Sequence, residues 1–166
     1  MNRPIIKKLP TELANLISAG EVVERPASVV KELVENSIDA NATVIRIELI
    51  DAGIKKVSII DDGCGMTADD INLAVLPHAT SKIATADDLF SIATLGFRGE
   101  ALPSISSVSK VTISSSIDGY NGIQKKYVAG IIQETKNISF PKGTAIEVED
   151  LFFNTPARFK HLSNAS

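Results

Sequence analysis

A single cysteine, Cys64, stands among the 166 residues. No disulfide within the chain can hold the fold, and this thiol usage suits a reducing compartment. Tryptophan is absent and aromatic residues make up 5%, which argues against stacking of single-stranded bases as a main activity. There are two histidines, His78 and His161. Neither has a cysteine or a second histidine at metal-ligand spacing, and no serine–histidine–acid set can be built on them, so His78 is expected to be structural. Neither sign of charge dominates, with 17 Lys and Arg against 20 Asp and Glu and a net charge of −3. A strongly basic nucleic-acid surface is therefore not expected, although a local patch is compatible with the count. No apolar run approaches the length of a membrane span, and Met1-Asn2-Arg3-Pro4 begins nothing like a signal peptide. Internal repeats are missing too, and the serine-rich patch at 104–116 reads as a helix end and a strand. What remains is 44% apolar and 22% charged, the usual balance of a globular chain long enough for a real core.

The stretch Lys31-Glu32-Leu33-Val34-Glu35-Asn36-Ser37-Ile38-Asp39-Ala40 organises the rest. Wound as an α-helix, it places Ser28, Glu32, Glu35, Asn36 and Asp39 on one narrow stripe, because they recur at spacings of three and four. Val29, Val30, Leu33, Val34 and Ile38 cover most of the remaining circumference. A mostly buried helix with a thin acid and amide stripe follows. Pro26 suits its first position, and Asn41 can close its end. Lys31 is the one base nearby, and it points away from Glu32 by roughly a quarter turn. Taken by itself, this helix reads most simply as having a solvated polar edge. Glu32 with Asn36 one turn later is also the pair that metal-assisted hydrolysis needs: a carboxylate to take a proton from water and a neutral oxygen ligand for Mg²⁺.

The flanking chain adds three glycine-bearing elements. A short helix at 10–19 is expected, with Leu13, Leu16 and Ile17 inward and Gly20 as its stop. Strands at 44–50 and 57–60 pair antiparallel around Asp51-Ala52-Gly53. The second runs straight into Asp61-Asp62-Gly63-Cys64-Gly65, whose glycines permit a tight backbone path close to a ligand. On its own, that is an ordinary strand-to-helix turn with an acid. Thr67 and Asp70 have the spacing of a capping box for the next helix. The polar segment Leu76-Pro77-His78-Ala79-Thr80-Ser81-Lys82-Ile83 leads to a helix near Thr85, capped with Asp88. Thr80, Ser81 and Lys82 suit either phosphate contact or solvent. Gly96-Phe97-Arg98-Gly99 then opens a helix from about Glu100, and free N–H groups there could hold phosphates. This is neither a Walker loop nor a dinucleotide fingerprint. Strands at 110–115, 124–128, 131–135 and 144–148 complete the pattern, with turns at Asp118-Gly119 and Ala129-Gly130. Asn154-Thr155-Pro156-Ala157 starts a helix with little chain left to pack it, so the sequence reads as a piece of a longer protein.

Six segments, taken together, resemble the MutL DNA mismatch repair proteins. They are Glu21-Val22-Val23-Glu24-Arg25-Pro26-Ala27, the helix at 31–40, Asp61-x-Gly63-Cys64-Gly65, His78-Ala79-Thr80-Ser81-Lys82-Ile83, residues 96–102, and Phe153-Asn154-Thr155-Pro156-Ala157-Arg158. They follow the MutL order and spacing along nearly all of the chain. The resemblance places the sequence with gyrase-type topoisomerases, the related heat-shock chaperone and histidine kinases in the GHKL ATPase superfamily. It implies an α/β fold of the Bergerat type: a two-layer sandwich of a mixed β-sheet with helices on one face and a left-handed βαβ unit. Residues 1–166 are then one ATP-binding domain, cut before a second, transducer-like domain that supplies a lysine to the γ-phosphate.

The resemblance also implies roles. Glu32 matches the general base that activates water, and Asn36 the Mg²⁺ ligand. Asp61 matches the acceptor for the adenine amino group. Gly63, Gly65 and Met66 let the nucleotide lie against the backbone, and Thr144 after Gly143 supports the adenine end. Thr80, Ser81 and Lys82 match the lid. Gly96, Phe97, Arg98, Gly99, Glu100, Ala101 and Leu102 match the phosphate loop. ATP and Mg²⁺ are the implied cofactors. Implied partners are a second N-terminal region, identical or related, when ATP is bound, and a MutS-type mismatch recognition protein. DNA is touched weakly and mainly through other parts, and no membrane is involved. The expected setting is the cytoplasm, near the nucleoid, or a nucleus, and not outside the cell. Asp62 stands where many relatives have Asn, which implies an extra charge beside Asp61 and slightly weaker affinity. Pro103 stands where a small residue is common, and is tolerable in a first turn. Alternatives are another GHKL ATPase such as a gyrase-type subunit, and a non-catalytic, nucleotide-gated interaction module.

Overall fold

Helix α1 spans Pro26–Asp39, with the proline in its first turn as the sequence suggests. It is closed by backbone bonds from Ala40 N to the Asn36 carbonyl and from Ala42 N to that of Ser37, with Asn41 in the left-handed region at φ 61°. Asparagine tolerates that conformation better than most residues, so it ends the helix as expected. The computed structural model describes residues 25–76 and 101–165. The expected helices at 10–19 and near Thr85 lie outside those residues. Strands β1 (Ile45–Ile50) and β2 (Lys56–Asp61) follow, joined by a single 3-10 turn at Asp51–Gly53. Helices α2 (Ala68–Ala74) and α3 (Ala101–Ser107) precede β3 (Lys110–Ser116), β4 (Asn121–Val128), β5 (Ile131–Ser139) and β6 (Gly143–Glu149); α4 covers Pro156–Ala165.

The strands form one sheet in the order β1-β2-β6-β3-β4-β5. All its neighbours pair antiparallel. The expectation of a mixed sheet is thereby corrected for the described strands: β2 and β3 do run parallel, but β6 lies between them and is antiparallel to both. A chain that leaves β2, passes through helices and returns in β3 has left room for one more strand, and β6, late in the sequence, fills it. The two-layer α/β arrangement stands.

Cross-strand registers align residues into rows on the helix-facing side. The first row is Val57, Val148, Val111 and Tyr127; the second is Ile59, Ile146, Ile113 and Lys125. Partners directly opposite in an antiparallel pair share a face, so these rows make a continuous apolar floor. Val29 and Leu33 of α1, Ile71 of α2, and Leu102 and Ile105 of α3 join it in one buried cluster. Lys125 is the exception in that floor. It is buried, and its Nζ donates to the Ala68 carbonyl at 3.0 Å and to Asn72 Oδ1 at the ends of α2's first turn. The third row, Asp61, Thr144 and Ser115, is polar. The floor therefore changes from apolar to polar along the strand axis, beside the chain that leaves β2.

Burial on α1 departs from the simple stripe. Ile38, expected inward, is half exposed, while Glu35 and Ser37 are buried. Of the polar stripe, Glu35 is buried, Glu32 and Asn36 are half-buried and Asp39 is exposed, while Ser37 reaches the polar row of the sheet through Asp61. Glu35 keeps its carboxylate 4.0 Å from Lys31 Nζ, an i,i+4 pair that modestly supports the helix.

Candidate functional site

Asp61, the last residue of β2, has both carboxylate oxygens engaged. Ser37 Oγ of α1 donates to Oδ2 at 2.7 Å, and Gly63 N donates to Oδ1 at 2.8 Å. Two donors hold the carboxylate in one orientation, and each oxygen keeps lone-pair capacity for a further donor. Ser37 follows Asn36 in the same helix. The residue that anchors Asp61 is thus one step from the amide proposed to face a metal.

Asp62 turns the other way. Its oxygens accept from Thr43 Oγ1 at 2.5 Å, Thr43 N at 2.7 Å and Val44 N at 2.9 Å. The Thr43 hydroxyl, followed by the amides of Val44 and Thr43, lowers its pKa to about 2. The charge implied to crowd Asp61 is instead spent on the loop between α1 and β1.

The backbone of the loop is closely approached. Cys64 N donates to the Ala40 carbonyl at 3.0 Å, which fastens the loop to the end of α1. Gly65 has φ +75°, and a Cβ there would stand 2.0 Å from the Ser116 carbonyl oxygen. Gly143, at φ +128°, would set a Cβ 2.0 Å from the Asp61 carbonyl oxygen. No other residue fits either position. Met66, next to Gly65, is half-buried against the core, and its N–H donates to Ser115 Oγ at 2.7 Å. Thr144 lies opposite Asp61 in the β2–β6 register and is buried, with its hydroxyl 2.8 Å from Ser115 Oγ.

The structure thus gathers Asp61, Gly63, Gly65, Met66 and Thr144 at one end of the sheet, under the helix that carries Glu32 and Asn36. Both of these are half-buried on α1. Ala101 and Leu102 open α3, where the Leu102 side chain is buried in the core and anchors the helix. Thr80, Ser81, Lys82, Gly96, Phe97, Arg98, Gly99 and Glu100 lie outside the described residues, as does His78. Among the described residues, no three His, Cys, Asp or Glu cluster as a metal site. Sequence reasoning missed Ser37, Ser115 and Thr43. Their partners lie 24, 28–49 and 19 residues away, and nothing local marks a serine or threonine for such a contact.

Residues 24–160 match the family model described as histidine kinase-, DNA gyrase B- and HSP90-like ATPase. The chain belongs to this ATPase family. This ATPase is similar to the DNA mismatch repair protein MutL of Exiguobacterium sibiricum, 55% identical over 158 residues, which is 95% of this chain and 26% of that protein. It is similar to HexB of Streptococcus pneumoniae, 55% identical over 160 residues, covering 96% and 25%. Among solved structures, the N-terminal domain of a DNA repair protein matches with a TM-score of 0.76 at 34% identity, over 91% of this chain and 43% of that one. The Aquifex aeolicus MutL ATPase domain complexed with ADP matches with a TM-score of 0.67 at 37% identity, over 85% and 48%. The chain spans about a quarter of the length of the curated relatives it matches.

Proposed function

We propose that this ATPase is the nucleotide-binding and hydrolysing region of a MutL-type mismatch repair protein. ATP-driven pairing of two such regions would couple mismatch recognition by a MutS-type protein to downstream repair. Residues 1–166 would form its GHKL domain, with a second domain following in the whole protein. The observation that carries the reading is the Asp61 carboxylate, held by Ser37 and Gly63 beside Thr144 and the Gly65 loop. A fixed carboxylate acceptor suits an adenine edge, whose amino group donates.

Glu32 would take a proton from the water that attacks the γ-phosphorus as the phosphate leaves ADP. That is positioning and proton removal, which phosphoryl transfer chiefly needs from a protein. The donor set also fits Mg²⁺. Asn36 offers a neutral oxygen one turn from Glu32, the kind of ligand Mg²⁺ takes beside phosphate oxygens. When bound, Mg²⁺ would offset charge on the phosphate oxygens. Thr80, Ser81 and Lys82 would belong to the lid, and residues 96–102 to the phosphate loop.

Calorimetric titration of the full-length protein with ATP, with and without Mg²⁺, tests this together with single-turnover hydrolysis. The parent is expected to bind ATP more tightly with Mg²⁺. Glu32→Ala should keep binding and lose at least about a hundredfold in hydrolysis, the size typical of a general base. Binding with no hydrolysis in the parent would favour the non-catalytic module instead.

A further inference from the structure

Ser37 sits near the end of α1, one residue after Asn36, and its Oγ donates to Asp61 Oδ2 at 2.7 Å. A carboxylate only accepts, so the single serine proton is committed to this bond. A second link runs beside it. Cys64 N donates to the Ala40 carbonyl at 3.0 Å, and a Cβ at Gly63 would stand 2.8 Å from that same carbonyl oxygen. The end of α1 and the chain from Asp61 to Cys64 therefore touch directly, with no room for a side chain at 63. Ser37 is only 3% exposed, so it offers a nucleotide almost nothing to touch, and its effect on binding must pass through Asp61. We infer that Ser37 is a positioning residue for base selectivity, holding the Asp61 carboxylate in the orientation that receives the adenine amino group.

This role rests on the nucleotide reading above. An aspartate carboxylate turns freely about its last side-chain bond unless donors stop it. Gly63 N, 2.8 Å from Oδ1, belongs to the same loop two residues on, so it moves with Asp61. The Thr144 hydroxyl lies opposite in the sheet but is committed elsewhere. Ser115 gives its proton to the Gly143 carbonyl, so Thr144 must donate to Ser115. Ser37 is thus the donor that ties Asp61 to another element, the helix of Glu32 and Asn36. With Ser37 and Gly63 in place, each carboxylate oxygen has one lone pair taken and one left for a ligand. A base that bonds to a carboxylate already fixed does not have to order that side chain as it binds, which otherwise costs up to about tenfold in affinity. The gain goes only to a base whose donor meets Asp61. A base without the amino group makes no such bond and loses nothing when Ser37 is removed.

The test titrates the full-length protein with two nucleotides: ATP, and the triphosphate whose purine carries hydrogen in place of the amino group. The parent should prefer ATP at least about tenfold, the worth of one hydrogen bond to a charged group. Ser37→Ala should weaken ATP about three- to tenfold and leave the second nucleotide within about twofold, so that the preference narrows. On an Asp61→Ala background it should weaken ATP no further, because it acts through that carboxylate. Equal weakening of both nucleotides by Ser37→Ala, or a full additional effect on the Asp61→Ala background, overturns the inference and leaves Ser37 a packing residue. Should Ser37→Ala fail to fold, Ser37→Thr and Ser37→Val share a shape and differ in the hydroxyl. Threonine should keep the preference and valine narrow it; an equal preference in both overturns the inference. The nucleotide reading fails separately, if the parent binds no ATP or binds the two nucleotides equally, and the role of Ser37 falls with it.

Discussion

Asp61 ends β2 and Asp62 follows it, and the two acids face different partners. Asp61 is held by Ser37 and Gly63, while Asp62 grips Thr43 and Val44. The folded state lowers the Asp62 pKa to about 2. A depressed carboxylate contributes stability that is present above its unfolded pKa and is lost as pH falls through the folded one. The expected window for this group is from about pH 4 down to about pH 2. Asp118 behaves alike, lowered to about 2 chiefly by the amides of Tyr120 and Asn121, so it supplies part of the same acid slope. Denaturant midpoints measured across that window should fall less steeply for Asp62→Asn than for the parent; identical slopes would show that the Thr43 clamp does not persist in solution. Gly65 makes a second residue-scale case. With φ +75° and a Cβ only 2.0 Å from the Ser116 carbonyl, Gly65→Ala must displace β3's end or the loop. A loss of at least about 2 kcal/mol in urea unfolding is expected, from backbone strain and overlap together.

At the scale of elements, local rules account for most of what forms. Thr67 accepts from Asp70 N, and Asp70 Oδ2 accepts from Thr67 N, completing the capping box that the spacing suggested. α2 has only seven residues, so a cap is a large share of its stability. Thr67→Ala should cost about 1 kcal/mol, read from a denaturant midpoint; no change would mean that Lys125, bonded to Ala68 and Asn72, holds the helix by itself. The strands are placed as the alternation indicated, but β4 and β5 run longer, to Asn121–Val128 and Ile131–Ser139. β5 is an edge strand, exposed at nearly every position. Where neither face is buried, alternation carries no signal, and its length follows from pairing with β4. α1 shows the opposite limit: its 3.6-residue period is legible, but which polar residues are covered depends on the sheet beneath.

For the whole molecule, the polar row at one end of an otherwise apolar floor is the main consequence of topology. β6, late in sequence, inserts between β2 and β3, and so brings Thr144 beside Asp61 and Ser115. The proposed pairing of two ATP-bound regions belongs to this scale as well. Sedimentation of the full-length protein should show a dimer of N-terminal regions promoted by a non-hydrolysable ATP analogue and weakened by Asp61→Ala. An assembly state indifferent to nucleotide would remove the coupling from the proposal, while leaving binding and hydrolysis in place.

By itself the sequence determined the order of the described elements, the Thr67–Asp70 cap and the Asn41 helix end, the helix stripe with Glu32 and Asn36, and the glycines around Asp61. These follow from spacings of a few residues, where periodicity, φ preference and capping act directly. Only the tertiary structure decided that Ser37 orients Asp61, that Asp62 serves the α1–β1 loop, that Lys125 is buried under α2, and that Ser115 joins three segments of the site. Each of those contacts spans some 18 to 57 residues, and a serine or lysine that makes one looks locally like any other. Their partners are chosen by strand order and register, which pairing across the sheet sets only once the chain has folded.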